Sequence, residues 1–337
     1  MKKFIKGGLL CALAAALGLS LLGCGSGPKQ EAASSAEEAT LHFLANLQKG
    51  EFEMARTYLK EGNQLLHVFP SEAEDWEGIP ELNDVYRQFC DKLSGLSYQV
   101  AEDKEGANGV VYITAQQYDF AASINEAMLA AMEKQCREGG DAFADYAAWM
   151  SQGIANAQMG EEDTHHAITT STSDGYIIGH QGYSDQEFLN MVTGGFYDYA
   201  DLQMAVCTTS MDSVEQTYYV LGLGDSVIAY MEEIAEKDET GELDDETIAG
   251  FNEFYAQMAA QNPGFYMGMH KDGDKVVMTT GLDMEVVDQK VLIEAGMVSG
   301  EFQGNMAGGY LSFAATIDSF EEAGITCTVT PVYEAEQ

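Results

Sequence analysis

Positive charge is scarce in this chain: 16 lysines and arginines stand against 55 aspartates and glutamates in 337 residues, a net charge of −39. That balance excludes nucleic acid as a partner, because such binding comes largely from Lys and Arg on phosphate. It also disfavours close contact with anionic lipid, so the folded body is expected to stand off any membrane on a tether. Long apolar runs are missing after Leu22; no later segment reaches the roughly 20 uncharged residues a spanning helix needs. Catalytic signatures are missing as well. There is no GxSxG and no HExxH, and Gly222-Leu223-Gly224 and Gly194-Gly195 lack the Lys-Ser/Thr of a phosphate loop and the third glycine of a dinucleotide fingerprint. Cys90, Cys136, Cys207 and Cys327 lie too far apart for a CxxC zinc or redox motif. No catalytic residue, cofactor or metal is therefore expected.

What is present begins at the N-terminus. Lys2, Lys3 and Lys6 precede an apolar run from Gly7 to Leu22, and the run closes Leu21-Leu22-Gly23-Cys24. A basic start, a short apolar middle and small residues before the cut are the parts of a secretory signal. The pattern resembles the bacterial lipoprotein lipobox, which implies that Cys24 is lipidated and becomes the new N-terminus. Palmitate-type acyl chains on Cys24 would hold the protein at the extracytoplasmic face of the cell membrane, since two chains anchor stably where one does not. An uncleaved anchor is the plainer alternative. The run is short for spanning, however, and Gly25-Ser26-Gly27-Pro28 follows in place of a stop-transfer pattern. Residues 1–23 are thus read as signal peptide and 24–36 as a flexible tether rich in Gly, Ser, Ala and Glu. The leader carries three lysines and no acid, so the mature chain is near −42.

Hydrophobic residues make up 46% of the chain, enough for two packed domains of ordinary size. In the first half, helix periodicity runs over Ala36–Gln48, with Phe43, Leu44 and Leu47 on one face and Thr40 its one polar member. A second helix starts near Glu51 and a third covers 81–93. Strands follow at 96–100 and 110–115, then a helical stretch from Phe120 to Gln158 divided at Gly139-Gly140, strands at 166–170 and 176–180, and a short helix over 185–192. The second half restarts with strands at 202–210, 216–223 and 226–231. A helix over 244–260 ends before Pro263, and strands at 265–270 and 276–280 flank the hairpin turn Lys271-Asp272-Gly273-Asp274. Helices near 287–294 and 312–322 and a last strand at 325–330 complete it. The fold class is α+β, with two domains that each pack helices on an antiparallel sheet.

The opening Phe43-Leu44-Ala45-Asn46-Leu47-Gln48-Lys49-Gly50-Glu51-Phe52 and the order of elements resemble lipoprotein domains of the nuclear-transport-factor-2-like superfamily over residues 37–198. This implies helices on a curved antiparallel sheet, a cystatin-like roll. The helical insert 120–158 departs from a minimal member and is expected to cover the sheet's concave face. Val206-Cys207-Thr208-Thr209-Ser210, Gly224-Asp225-Ser226-Val227, Leu292-Ile293-Glu294-Ala295-Gly296 and Phe320-Glu321-Glu322-Ala323-Gly324-Ile325-Thr326-Cys327 resemble, in that order, the YehR-like family of small bacterial lipoproteins. That likeness sets the second domain at 201–337 and implies a cell-surface location and no catalytic residues. Cys207 and Cys327 sit in strand-like stretches near the start and end of this domain and are expected to form a disulfide. Cys90 and Cys136 lie in helix-like segments and their pairing stays open.

His165 and His166 point to opposite faces of their strand, so they cannot easily hold one ion; His180 with Asp163 would have to complete a metal site, and surface histidines are the plainer account. The acidic run 237–246 lacks the ligand spacing of a calcium loop, and Asp244 or Asp245 is read as a helix cap. Met128, Met132, Met150 and Met159 are read as helical core before a greasy groove. The expected function is a lipid-anchored, non-enzymatic binding or interaction module with an unknown protein or small-molecule partner. The alternative is an enzyme with an Asp/His site in the first domain, built from His180 with Asp174 or Asp119. A transporter's solute-binding subunit is disfavoured, because the hairpins argue against two parallel-sheet lobes.

Overall fold

The structure, a computed structural model, describes residues 32–69, 80–100, 109–179, 185–199, 202–239, 241, 243–287, 306–307 and 310–331. Cys24, His180 and the helix expected at 287–294, apart from its first residue, lie outside that set. The first half contains helices α1 (Ala36–Gln48), α2 (Phe52–Arg56), α3 (Leu65–Val68) and α4 (Pro80–Leu93), then strands β1 (Ser97–Val100) and β2 (Val110–Gln116). Helices α5 (Phe120–Glu138) and α6 (Tyr146–Asn156) follow, then β3 (Asp163–Thr172), β4 (Gly175–Ile178), α7 (Gln186–Thr193) and a 3-10 turn (Phe196–Tyr199). The second half runs β5 (Leu202–Met211), β6 (Val214–Leu223), β7 (Ser226–Lys237), α8 (Asp245–Gln261), β8 (Phe265–Asp272), β9 (Lys275–Asp283), β10 (Met306–Ala307), β11 (Tyr310–Leu311), α9 (Phe313–Glu322) and β12 (Thr326–Pro331).

Two principal antiparallel sheets result. The first has the order β1-β2-β3-β4, and the second β12-β5-β6-β7-β9-β8. The fold is α+β, as the alternating and helical stretches of the sequence require.

α1 crosses the first sheet and presses fully buried Phe43, Leu44 and Leu47 toward Val111, Ile113 and Ala115 of β2. Thr40, the polar interruption on that face, is also buried, and its hydroxyl donates to the Ala36 carbonyl at 3.0 Å. A buried hydroxyl is tolerable only when bonded, and one helical turn supplies the acceptor.

The insert behaves differently from expectation. α5 lies against β8 and β9, so its long contact is with the second sheet. The described helix that contacts all four strands of the first sheet is α1, not α5. Met128, Met132 and Met150 are buried in the resulting core; Met159 is half-buried. One continuous hydrophobic cluster runs from Phe43 and Phe89 through Met132 and Cys136 to Met204, Leu221 and Met231, joining the two sheets.

On the other face of the second sheet, α9 packs Phe313, Ile317 and Phe320 over Ala205, Cys207 and Val220, and α8 lies beside β8. Cys207 and Cys327 are directly opposite in the β5–β12 register, with Cα atoms 4.0 Å apart, and form a disulfide. Cys90 and Cys136 are both buried and free, so the second pairing is not made.

Candidate functional site

Asp185, Glu187 and His166 are brought together along β3. Asp185 begins α7: one of its oxygens accepts from the Phe188 N–H at 3.2 Å, an N-cap, and the other from the Ile168 N–H at 2.9 Å. Glu187 accepts from the His166 N–H at 3.1 Å and meets His166 Nδ1 at 2.9 Å. Two side chains of one helix thus replace a strand along part of the β3 edge. Burial pushes the Asp185 carboxyl up, against the two N–H groups that lower it.

His165 points the opposite way, as strand alternation demands. Its register partner is buried Ile113, and its Nε2 is buried without a hydrogen-bond partner. His180, the histidine of the expected Asp/His pair, lies outside the described residues, and the acids considered as its companions have other work. Asp119 caps α5, accepting from the Ala122 N–H at 3.0 Å, and Asp174 sits in the β3–β4 turn, where its N–H donates to Thr172 Oγ1 at 3.2 Å. Asp163 accepts from the Thr164 N–H at 2.7 Å. Asp244 caps α8 through the Thr247 N–H at 2.8 Å, and that bond lowers its carboxyl below the usual range. Among the described residues no group of three or more His, Cys, Asp or Glu side chains is arranged to hold a metal ion.

A second polar cluster lies where α5 meets the second sheet, and sequence reasoning missed it. Gln135 is completely buried. Its amide donates to Glu233 Oε1 at 2.9 Å and its carbonyl accepts from the Phe143 N–H at 2.7 Å. Tyr219 donates to Glu233 Oε2 at 3.2 Å, and Trp149 Nε1 donates to the Phe143 carbonyl at 3.0 Å. Burial pushes the Glu233 carboxyl up, with the Gln135 and Tyr219 bonds pulling it back, and burial also raises the Tyr219 hydroxyl. Both oxygens of Glu233 are engaged, so the cluster clamps α5 to β7 and leaves neither oxygen of Glu233 without a partner. The available signal was Glu232-Glu233 inside the strand-like run that starts at Ser226. Adjacent strand residues face opposite sides, so one acid had to enter each covered face. Glu232 faces the other side, near Tyr218, and burial raises its carboxyl too.

Around this clamp the helix touches the sheet at backbone distance. A Cβ at Gly268 would run into the Cys136 carbonyl, and one at Gly281 would stand 2.6 Å from Met132 Sδ. His270, on the same face and beside Gly139, has its Nδ1 buried without a partner, and burial lowers its imidazole. The free thiol of Cys136 is pushed up to about 12 by burial and by Glu233 and Glu133. A thiol held that high stays protonated and unreactive.

No protein-family model matches the chain, and no curated protein matches it significantly. Two solved structures are similar to part of it. The NMR structure of the E. coli YehR protein is 18% identical, covers 40% of this chain and 95% of its own, and has a TM-score of 0.31. An NMR structure of a protein from Streptococcus pneumoniae TIGR4 is 14% identical, covers 37% of this chain and 84% of its own, and has a TM-score of 0.29. Both TM-scores lie below 0.5, so neither likeness carries an argument about the family or the activity of this chain.

Proposed function

We propose that this protein is a lipid-anchored interaction module of the extracytoplasmic membrane face, tethered through Cys24 and not an enzyme. Its first half belongs, in this reading, with nuclear-transport-factor-2-like lipoprotein domains, and its second with YehR-like ones. The observation that carries the reading is how the sheet faces are used. Residues 36–48 fill one face of the first sheet with Phe43, Leu44 and Leu47, and α5 meets the second with its backbone at Gly268 and with the Met132 and Cys136 side chains at Gly281. Helices also lie on the other side of the second sheet. What these covers leave for a partner is outer surface and strand edge. The Cys207–Cys327 disulfide suits an oxidising compartment outside the cytoplasm.

Metabolic labelling with a fatty-acid probe in a lipoprotein-processing bacterial host tests the anchor. Wild type labels and partitions into detergent, and Cys24→Ser does neither; equal labelling of both overturns the reading. An Asp/His enzyme is the competing reading; its expected histidine, His180, lies outside the described residues, and what favours it is His165 with its unpartnered buried Nε2. It predicts a ligand that protects His165 from modification by diethyl pyrocarbonate, which an interaction module would not bind.

A further inference from the structure

The edges of the two sheets are treated unequally. The outer edge of β4 is covered by main chain: Tyr176 N–H donates to Ala33 O at 3.1 Å, Ile178 N–H to Tyr58 O at 2.7 Å, and Lys60 N–H to Ile178 O at 2.8 Å. The uncovered part of β3 is met by Asp185 and Glu187. The outer edge of β8 is met by Asn252 of α8, whose amide donates to Met269 O at 2.9 Å and accepts from Met269 N–H at 2.8 Å, imitating a neighbouring strand. β1 has four residues and runs into 101–108, beyond the described set.

β12 is different. It is an edge of the six-stranded sheet, and among the described residues it pairs only with β5. Thr326, Thr328 and Thr330 are exposed, and Val329 is 42% exposed. The 4.0 Å between the Cα atoms of Cys207 and Cys327 marks a non-hydrogen-bonded antiparallel pair, which lies near 4.5 Å against about 5.5 Å for a bonded one. The N–H and C=O of Cys327 therefore point away from β5, and by alternation so do those of Val329. Pro331 has the same parity and no N–H, the position an edge proline must take. Cys327 and Val329 thus offer two donors and two acceptors in extended geometry, pinned by the disulfide, and the described residues provide them no partner.

The charge around this edge has one sign. β5, β6, α9 and β12 contain no lysine or arginine, whereas Asp212, Asp318, Glu321 and Glu322 are exposed on them or at their turns. The second half's described lysines, Lys237 on β7, Lys275 on β9 and Lys271 on β8, lie off these elements and pair with Asp274, Glu215 and Asp245. A second copy would bring the same acids against these, at a cost in repulsion.

We infer that the outer edge of β12 is a docking edge for a basic, extended peptide segment of another protein, added as a further strand to the six-stranded sheet. Main-chain bonds to Cys327 and Val329 give the contact its direction, and the surrounding acids select lysine- or arginine-bearing strands. The proposal rests on the interaction-module reading and names its partner chemistry. The test uses the purified full chain in nonionic detergent and a fluorescent peptide alternating lysine with valine and threonine. Fluorescence anisotropy should show saturable binding that weakens as salt rises. Methylating alternate backbone nitrogens of the peptide, or Val329→Pro in the protein, should weaken it about tenfold, the effect of losing one or two net hydrogen bonds. A glutamate-for-lysine peptide should not bind. Failure of the lysine peptide to bind, or equal binding of its methylated form, overturns the proposal. So does a concentration-dependent dimer abolished by Val329→Pro, which would give the edge to a second copy. If Val329→Pro does not fold, the methylated peptide on wild type decides. Fatty-acid labelling of Cys24 is measured separately, so loss of the docking edge and loss of the anchor are told apart.

Discussion

The two sheets are each covered by a helix, yet the covers are made in opposite ways. α1 stands off the first sheet on large side chains, Phe43, Leu44 and Leu47, all fully buried. α5 lies close to the second sheet because Gly268 and Gly281 remove the side chains that would hold it away. The first cover comes from the chain next to its sheet. The second is supplied by the other half of the molecule and fastened by the Gln135–Glu233–Tyr219 bonds. A face covered by long side chains tolerates small changes of volume, whereas one covered at backbone distance does not. The contrast also means that the second sheet depends on residues far upstream for one of its faces.

The largest test of that dependence is to remove the donor. Residues 201–337 expressed alone lack α5 and expose the face carrying Tyr219, Met231 and Gly281. They are expected to lose a cooperative unfolding transition and to aggregate. A sharp two-state urea transition of this half by itself would break the comparison.

Next in size is the disulfide. It closes a separation of 120 residues, for which the chain-entropy relation gives about 5 kcal/mol. Cys207→Ala with Cys327→Ala should lower stability by that order in oxidising buffer and by much less under reducing conditions, where only the packing of buried Cys207 is lost. A third test acts on the close contact. Gly268→Val should cost about 3 kcal/mol, because the helix must move bodily, while Leu44→Met on the α1 side should cost roughly 1 kcal/mol. Equal costs would erase the distinction between the two covers.

The smallest expected effect concerns pH. Burial raises the Glu233 carboxyl above its unfolded value, so the native state holds the proton better than the unfolded chain does. That contribution is complete below the unfolded value near 4.5 and is lost as pH rises through the native value. Glu233→Gln does not titrate. It should therefore match wild type below about pH 4.5 and exceed it at neutral pH, read by urea denaturation at both. A pH-independent difference would show that the clamp does not feel its own charge.

Much of the local structure was legible before folding was considered. The period of Phe43, Leu44 and Leu47 marked α1, Gly139-Gly140 marked the end of α5, and the Asp-Gly turn marked the β8–β9 hairpin. Asp244 was readable as a cap because the bond to Thr247 spans three residues. β7 was read too short. Its expected end at Met231 precedes Glu232 and Glu233, acids that look like solvent-facing residues until two covered faces are known. Cys207 and Cys327 were legible as a pair because both lie in strands at the two ends of one half. Cys90 and Cys136 offered no such frame, and they stay apart. Of the candidate sites, the opposite orientations of His165 and His166 followed from strand alternation, but the Gln135–Glu233 clamp did not, since its partners are 98 residues apart.

The sequence by itself determined the element types, the caps and turns, the acidic balance and the lipobox-like leader. Each of these depends on contacts within a few residues or on composition alone. Only the tertiary structure decided which sheet α5 covers, why Gly268 and Gly281 are glycine, and which strand edges find partners. Those outcomes depend on the distance between backbones remote in the chain, and no local periodicity encodes that distance.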